Sequence, residues 1–377
     1  MKKSILLFFV GLLFCNCSSE ENSNNGMTGL KNDEYVVLFP ISRPITSLEI
    51  DNELYVLYED LEFDLQKLSK VSSNGVILWT KDLSINVTNH YLNFMTNDDN
   101  QLYLFNNSGL GNFDKVQFDL EGNITEVSLL SNESFDDVHI NQNNFYLIKH
   151  NSTGIYFEKY SSSGNLLETS NVNISIEEPD KSKTIINNKS YLFGLSDFNG
   201  SALDFYDNYF CEIYENNSLL NSIKINISNS SAHFRESLVL DNGNILFITK
   251  TPEDTEFKLF DSSTGDNIAN KTFEGIHNGD YSIFLMTDGN LGFVSHTSIN
   301  DKNTKLSQFT ILDSNLNTIS QRFFGSYEFG EIRYDTHESR DGNYYYITGR
   351  TNGIDGDYTG VPNNSDTIDM FLFKLSK

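Results

Sequence analysis

Near the C-terminal end, four ionisable side chains alternate along one short stretch: Glu331, Arg333, Asp335 and His337. A spacing of two puts them on one face of an extended strand. On such a face an imidazole beside a carboxylate can move a proton, and a guanidinium can hold an anion. The grammar recurs upstream in His233 with Arg235 and in Asp137 with His139, while Arg43 and Lys183 stand at the start of two comparable stretches. Of the 7 His, five (His90, His139, His233, His277 and His337) fall in or just before stretches of this kind. If these faces converge, Arg43, His139, His233, Arg235, Arg333 and His337 form a pocket for a polar or anionic ligand. An acid/base reading uses His337 with Asp335 or Glu331. Alternation shows a shared face and not proximity between stretches, so a polar lining of a water-filled space is the reading that spacing alone favours.

A second constellation follows within the same C-terminal unit. Asp355, Asp357 and Thr359 place oxygens at positions one, three and five of a loop, Gly360 falls at six, Asn363 at nine and Asp366 at twelve. This approaches the spacing of the EF-hand loop, with Thr at five and Asp in place of Glu at twelve as departures, and it predicts a structural Ca²⁺ clip. A turn-rich solvated loop uses the same residue types. No serine nucleophile elbow, HExxH, P-loop or dinucleotide fingerprint is present. The 3 Cys are Cys15, Cys17 and Cys211. With the first two near the N-terminus, no disulfide framework follows, and Cys211 reads as a small buried residue.

The N-terminus supplies an address. Lys2 and Lys3 precede an apolar run, Ile5 to Phe14, too short to span a bilayer and of the right length for a signal-peptide core. Cys15 and Cys17 follow, then SSEENSNNG. An apolar core ending at a cysteine resembles a bacterial lipoprotein signal, with Cys17 the better lipidation candidate than Cys15, whose preceding residue is the bulky Phe14. Glu20 and Glu21 resemble the surface-export signal of Bacteroidota lipoproteins. The expected organisation is a signal peptide over 1–16, a flexible tether over 17–33 and one folded domain over 34–377. The expected location is the outer membrane, facing the surface, with the periplasmic side as the other possibility. A net charge of −26 excludes the basic patches that nucleic-acid partners need.

The elements that must carry these residues are strands. A polar turn followed by a short apolar or aromatic strand recurs seven times, with the turn asparagines Asn52, Asn100, Asn144, Asn188, Asn244, Asn290 and Asn343 lying 44 to 56 residues apart. Each is followed by an alternating strand such as Phe63–Lys70 or Met370–Lys377, then by a Gly- or Asn-containing turn and a further strand, and each is preceded by the stretch that holds the alternating charges. With 29 Phe and 19 Tyr and no helical periodicity, this is an all-β chain of four-strand units. Six units are complete. The seventh ends after its third strand, and one strand, Tyr35 to Phe39, is left over at the front. It predicts a single seven-bladed β-propeller whose last blade is closed by the N-terminal strand. The longest loops, Ser196–Asp207, Thr297–Lys305 and Arg350–Asp369, should share one face.

The final unit (DGN, aromatic strand, TGRTNG, DGDYTG, DMFLFKL) resembles bacterial surface β-propeller repeats common in Bacteroidota, and KLSKVSSNGVILWTKDL in the first unit resembles the PQQ-like repeat. The resemblance implies a surface setting. It does not imply the quinone, since the chain has 1 Trp, Trp79, where such enzymes repeat their docking tryptophans. The expectation is a monomeric binding or scaffolding module for a glycan, peptide or partner protein, the alternative being an extracellular polysaccharide hydrolase or lyase.

Overall fold

The computed structural model describes residues 29–83, 93–98, 101–107, 112–141, 144–174, 182–198, 206–216, 218–226, 233–250, 254–274, 281–298, 305–326, 332–353, 355–359, 361 and 367–377. The expected signal segment, Cys17 and most of the expected tether lie outside them. The described residues form strands β1–β28 in chain order, arranged as seven four-stranded sheets. Six sheets are consecutive meanders. The seventh has the order β1-β28-β27-β26, so the strand Tyr35–Phe39 (β1) lies beside Asp369–Ser376 (β28), which pairs with Tyr344–Thr351 (β27). The protein is a seven-bladed β-propeller.

The residue pattern explains the layering. Second strands such as Glu53–Asp60 (β3) are packed on both faces and are buried almost throughout. Outer strands such as Ile77–Leu83 (β5) touch protein on one face only and are mostly exposed. Seven apolar clusters form, one at each junction between neighbouring blades. Aromatic rings fill these wedges; Phe257, for example, meets Phe293 of the next blade edge-on at 4.9 Å between centroids.

Closure uses both faces of β1. Tyr35, Val37 and Phe39 enter the cluster shared with the first blade, while Leu38 enters the one shared with the sixth. Some turn glycines are sterically constrained as well. Gly122, at φ +78°, lies against the ring of Trp79 from the preceding blade, where a Cβ would collide with it. Gly122→Ala is expected to cost about 2 kcal/mol, from the left-handed backbone and the displaced indole together. Chemical denaturation followed by Trp79 emission reads it, and an unchanged midpoint would refute the packing argument.

Candidate functional site

Apart from Glu331, the alternating charges stand on innermost strands, which line the axis: β2 (Ser42–Ile50), β6 (Phe94–Asp98), β10 (Asp137–Asn141), β14 (Lys183–Ile186), β18 (His233–Val239), β22 (Tyr281–Leu285) and β26 (Ile332–Glu338). In the last blade, the His337 ring packs on Tyr346 at 5.3 Å, and its Nδ1 lies 3.4 Å from Ser47 Oγ on β2. Its Nε2 is shielded from solvent and has no hydrogen-bond partner among the described residues. Burial pushes the imidazole below its usual range, against the pull of Asp335 and Glu49. Asp335 has solvent-accessible surface yet is surrounded by enough protein that desolvation raises its carboxyl against the pull of His337. The pair therefore favours a neutral imidazole next to a carboxyl that is reluctant to ionise. Glu49 completes the group, accepting from Arg340 N at 2.5 Å and from the Tyr346 hydroxyl at 3.1 Å. Arg333 stands on β26, but its side chain and all of Glu331 lie outside the described residues.

A second group spans blades three to five. Asp137 Oδ2 accepts from Thr184 N on the next blade at 3.1 Å, and its Oδ1 accepts from Val138 N at 2.8 Å. Burial pushes this carboxyl up to about 6, with those backbone donors and Lys183 opposing. Lys183 itself pairs with Glu236 on β18. His139 stacks near Tyr146 at 6.0 Å and is pushed down to about 4 by burial. Sequence reasoning missed His150, near the end of the second strand β11 (Asn144–Asn151); its Nε2 lies 2.9 Å from Thr184 Oγ1, and burial lowers it. Nothing in its spacing marked it. Arg43 donates to Glu59 of its own blade, in register across β2 and β3. His233 and Arg235 are placed on β18, their side chains outside the described residues, as are His90 and His277.

The described contacts thus join neighbouring blades: Asp137 to Thr184, Lys183 to Glu236, Ser47 to His337 and Glu49 to Arg340. They stitch the inner edge of the ring in two groups, around blades seven and one and around blades three to five. A polar stitch suits strands whose inner edge faces water, since an apolar edge there would gain nothing from burial.

The Ca²⁺-like loop is partly described. Ser326 Oγ donates to Asp355, and Gly325 N donates to Asp357 Oδ2 at 2.9 Å while Asp357 N returns a bond to Gly325 O at 3.0 Å. Both carboxylates therefore tie the loop to the end of the sixth blade. Burial pushes Asp357 up to about 6, against the Gly325 amide and Arg322. Thr359 is exposed; Asn363 and Asp366 lie outside the described residues. Tyr358 is buried against Phe371 and Phe373. Among the described residues no three His, Cys, Asp or Glu side chains gather to hold a metal. A groove of about 230 Å³, lined by Tyr146, Lys159, Lys189 and Tyr214 among others, opens between blades three and four.

No family model and no curated protein matches the sequence. Solved structures do match in fold. The polysaccharide lyase Uly1 aligns with a TM-score of 0.51 at 9% identity, covering 89% of this chain and 90% of its own. The β-propeller domain of the Trilobed protease from Pyrococcus furiosus, which has an open velcro topology, aligns at 0.50 with 10% identity, covering 90% and 96%. A protein of unknown function from Bacteroides caccae aligns at 0.40 with 11% identity over 76% and 94%. At these identities the shared property is the ring of blades. In this chain β1 and β28 join the two ends of the ring.

Proposed function

We propose that the protein is a lipid-anchored β-propeller at the outer-membrane surface, acting as a binding or scaffolding module for a glycan, peptide or partner protein on its loop face. The observation that carries this reading is where the chain enters the ring. Glu34, one residue before β1, accepts from Ser376 at the end of β28, and Lys377 N bonds Asn343 O in the adjoining turn. The tether therefore enters on the face of the short turns. The second and third strands of that blade are joined at the other end, where Thr351 pairs with Asp369, so their connection belongs to the opposite face. With residues 1–16 removed and Cys17 lipidated, the long loops point away from the membrane, where loops held by a rigid scaffold recognise partners.

The test uses the folded chain immobilised through its N-terminus and offered glycan and peptide arrays. Replacing the 362–366 segment by a short Gly/Ser loop should abolish the strongest signals, while Asn242→Asp on the turn face should leave them. Signals lost with neither change, or with the turn-face change alone, would reject the reading. Asp335 beside His337 favours a second reading, polysaccharide cleavage at the axis, and the ring itself is compatible with many chemistries. New reducing ends or unsaturated products that vanish in His337→Gln would establish it.

Calcium at the Asp355–Asp366 loop remains part of the proposal. A cation there would bring Asp357 back down from about 6. The melting temperature should then rise with added Ca²⁺ and fall with chelator, more at pH 7 than at pH 5; equal melting in both would remove calcium from the account.

A further inference from the structure

The six outer strands that follow their own third strands share a defect. In β5, β9 (Ile124–Ser131), β13 (Leu166–Asn173), β17 (Ser218–Asn226), β21 (Asn267–Glu274) and β25 (Thr318–Phe324), the register with the third strand slips by one residue just after the turn. The residues left without a partner are Leu78, Thr125, Leu167, Leu220, Ile268 and Ile319. Five of these are large aliphatics, each between 47% and 56% exposed. The exception, Thr125, follows Ile124 and precedes Val127, both exposed. The seventh outer strand, β1, pairs with β28 without a slip.

A bulge bends an edge strand and re-aims its side chains. Edge protection alone calls for charge or proline at such a place; repeated leucine and isoleucine there present apolar surface to something else. Because every bulge follows a turn between third and fourth strands, the ring of aliphatics runs around the rim of the turn face. That is the face on which the tether enters. Arg322 Nη2 holds the Gly29 carbonyl at 2.8 Å, so beyond Gly29 only residues 18–28 separate the rim from Cys17. Eleven residues reach about 40 Å at full extension, and a relaxed chain brings the rim to the bilayer.

We infer that this aliphatic rim seats the propeller on a lipid surface, resting on the reading that Cys17 carries the anchor. The turns between the bulges hold Asp119, Asp261 and Asp313, whose side chains accept turn hydrogen bonds from Asn123, Ser263 and Asn317. Ionised carboxylates at headgroup depth suit the ammonium group of phosphatidylethanolamine and repel anionic lipid. The anchor makes the contact intramolecular, so a shallow apolar rim suffices.

Trp79 is the natural reporter: it is the chain's 1 Trp, and it pairs with Lys70 beside the Leu78 bulge. The full lipidated chain is reconstituted into vesicles of phosphatidylcholine with phosphatidylethanolamine, with and without brominated acyl chains. Flotation reads the anchor, and Trp79 emission reads the seat. The expected result is flotation with emission quenched roughly twofold by bromine, weaker quenching when phosphatidylglycerol replaces phosphatidylethanolamine, and loss of quenching without loss of flotation in a Leu167→Ser, Leu220→Ser, Ile268→Ser variant of unchanged melting temperature. Flotation without quenching, or quenching that survives the triple substitution, overturns the seat and leaves the anchor standing. A lipidated chain that does not float overturns the anchor and the seat together. A Cys17→Ser chain that dimerises in solution until the triple substitution is made assigns the rim to a second copy and overturns the seat.

Discussion

A chain beginning at Pro40 is expected to lose cooperative unfolding. Such a chain lacks β1, whose five residues pair with β28 from Tyr35 against Lys374 to Phe39 against Met370. The loss is double because β1 packs two ways. Tyr35, Val37 and Phe39 leave the wedge shared with the first blade, and Leu38 leaves the wedge shared with the sixth. All four are no more than 9% exposed. At about 1.5–3 kcal/mol for each buried large side chain, their removal is of the order of a whole domain's stability, about 5–15 kcal/mol. It also bares β28, a strand of seven buried residues, as an open edge that invites association with other chains. Lys374 would lose its place between Tyr35 and Tyr344, whose ring centroids lie 5.7 and 3.8 Å from its Nζ, and with it the geometry that aims Nζ at the Ser73 carbonyl of the first blade. Calorimetry and gel filtration of the truncated chain check this. A synthetic peptide of residues 29–41, added in trans, should restore a melting transition by supplying the missing strand. A truncated chain that stays monomeric and melts at the full chain's temperature would show that the ring does not depend on β1.

How legible this was differs between scaffold and site. Tyr35–Phe39 has the boundaries that the sequence pattern predicts, because an apolar run between polar turns repeated seven times leaves little freedom of register. The pattern is weaker where polar residues interrupt it: an inner strand expected from His90 begins at Phe94 among the described residues. The contacts of the charged residues were not legible, and the reason is geometric. Alternation assigns a face along one strand, but the partners come from other blades. Thr184 reaches Asp137 from 47 residues away and Ser47 reaches His337 from 290. No local spacing encodes these distances. Asp335 and His337 both stand on β26, two residues apart, so the sequence could assign them one strand face but no cross-blade partners. The Asp355–Asp357 pair, equally conspicuous in sequence, turns toward the sixth blade because Gly325 and Ser326 offer an amide and a hydroxyl there. Glu34 carried no signal at all, standing at the end of a polar stretch without periodicity.

Glu34 is nevertheless the side chain on which the second large effect depends. Burial pushes its carboxyl up, but Arg322, Ser376 and the Lys31 amide outweigh that and bring it from 4.5 to about 2. The bonds are specific: Arg322 Nη1 and Nη2 donate at 2.5 and 2.8 Å, Ser376 N and Oγ at 2.9 and 2.7 Å, and Lys31 N at 2.7 Å. One carboxylate thereby clasps the incoming chain to the outer strand of blade six and to the third strand of blade seven. The sign of the pH effect follows. A carboxyl depressed in the folded state contributes its stabilisation fully above the unfolded value near 4.5 and loses it as pH falls toward 2. At 1.36 kcal/mol per unit, that contribution is about 3 kcal/mol. Glu34→Gln keeps the shape and removes the charge, so it should lower stability by about 2–3 kcal/mol at pH 7 and flatten the acid limb between those values. Other buried groups move differently: Asp137 and Asp357, raised to about 6, become less costly as pH falls through 6, whereas His139, lowered to about 4, becomes more costly below its ordinary value. The acid limb that disappears in Glu34→Gln is therefore separable from theirs. A double-mutant cycle with Arg322→Met isolates the pair; a coupling near zero would show that the clasp is ornamental. The local consequence is read by trypsin, because Lys31 bonds the Glu34 carboxylate through its amide and Ser376 through its Nζ. Cleavage after Lys31 should accelerate in the variant before the ring itself melts, since the clasp holds this stretch against the blades. Cleavage at the wild-type rate would show that it does not.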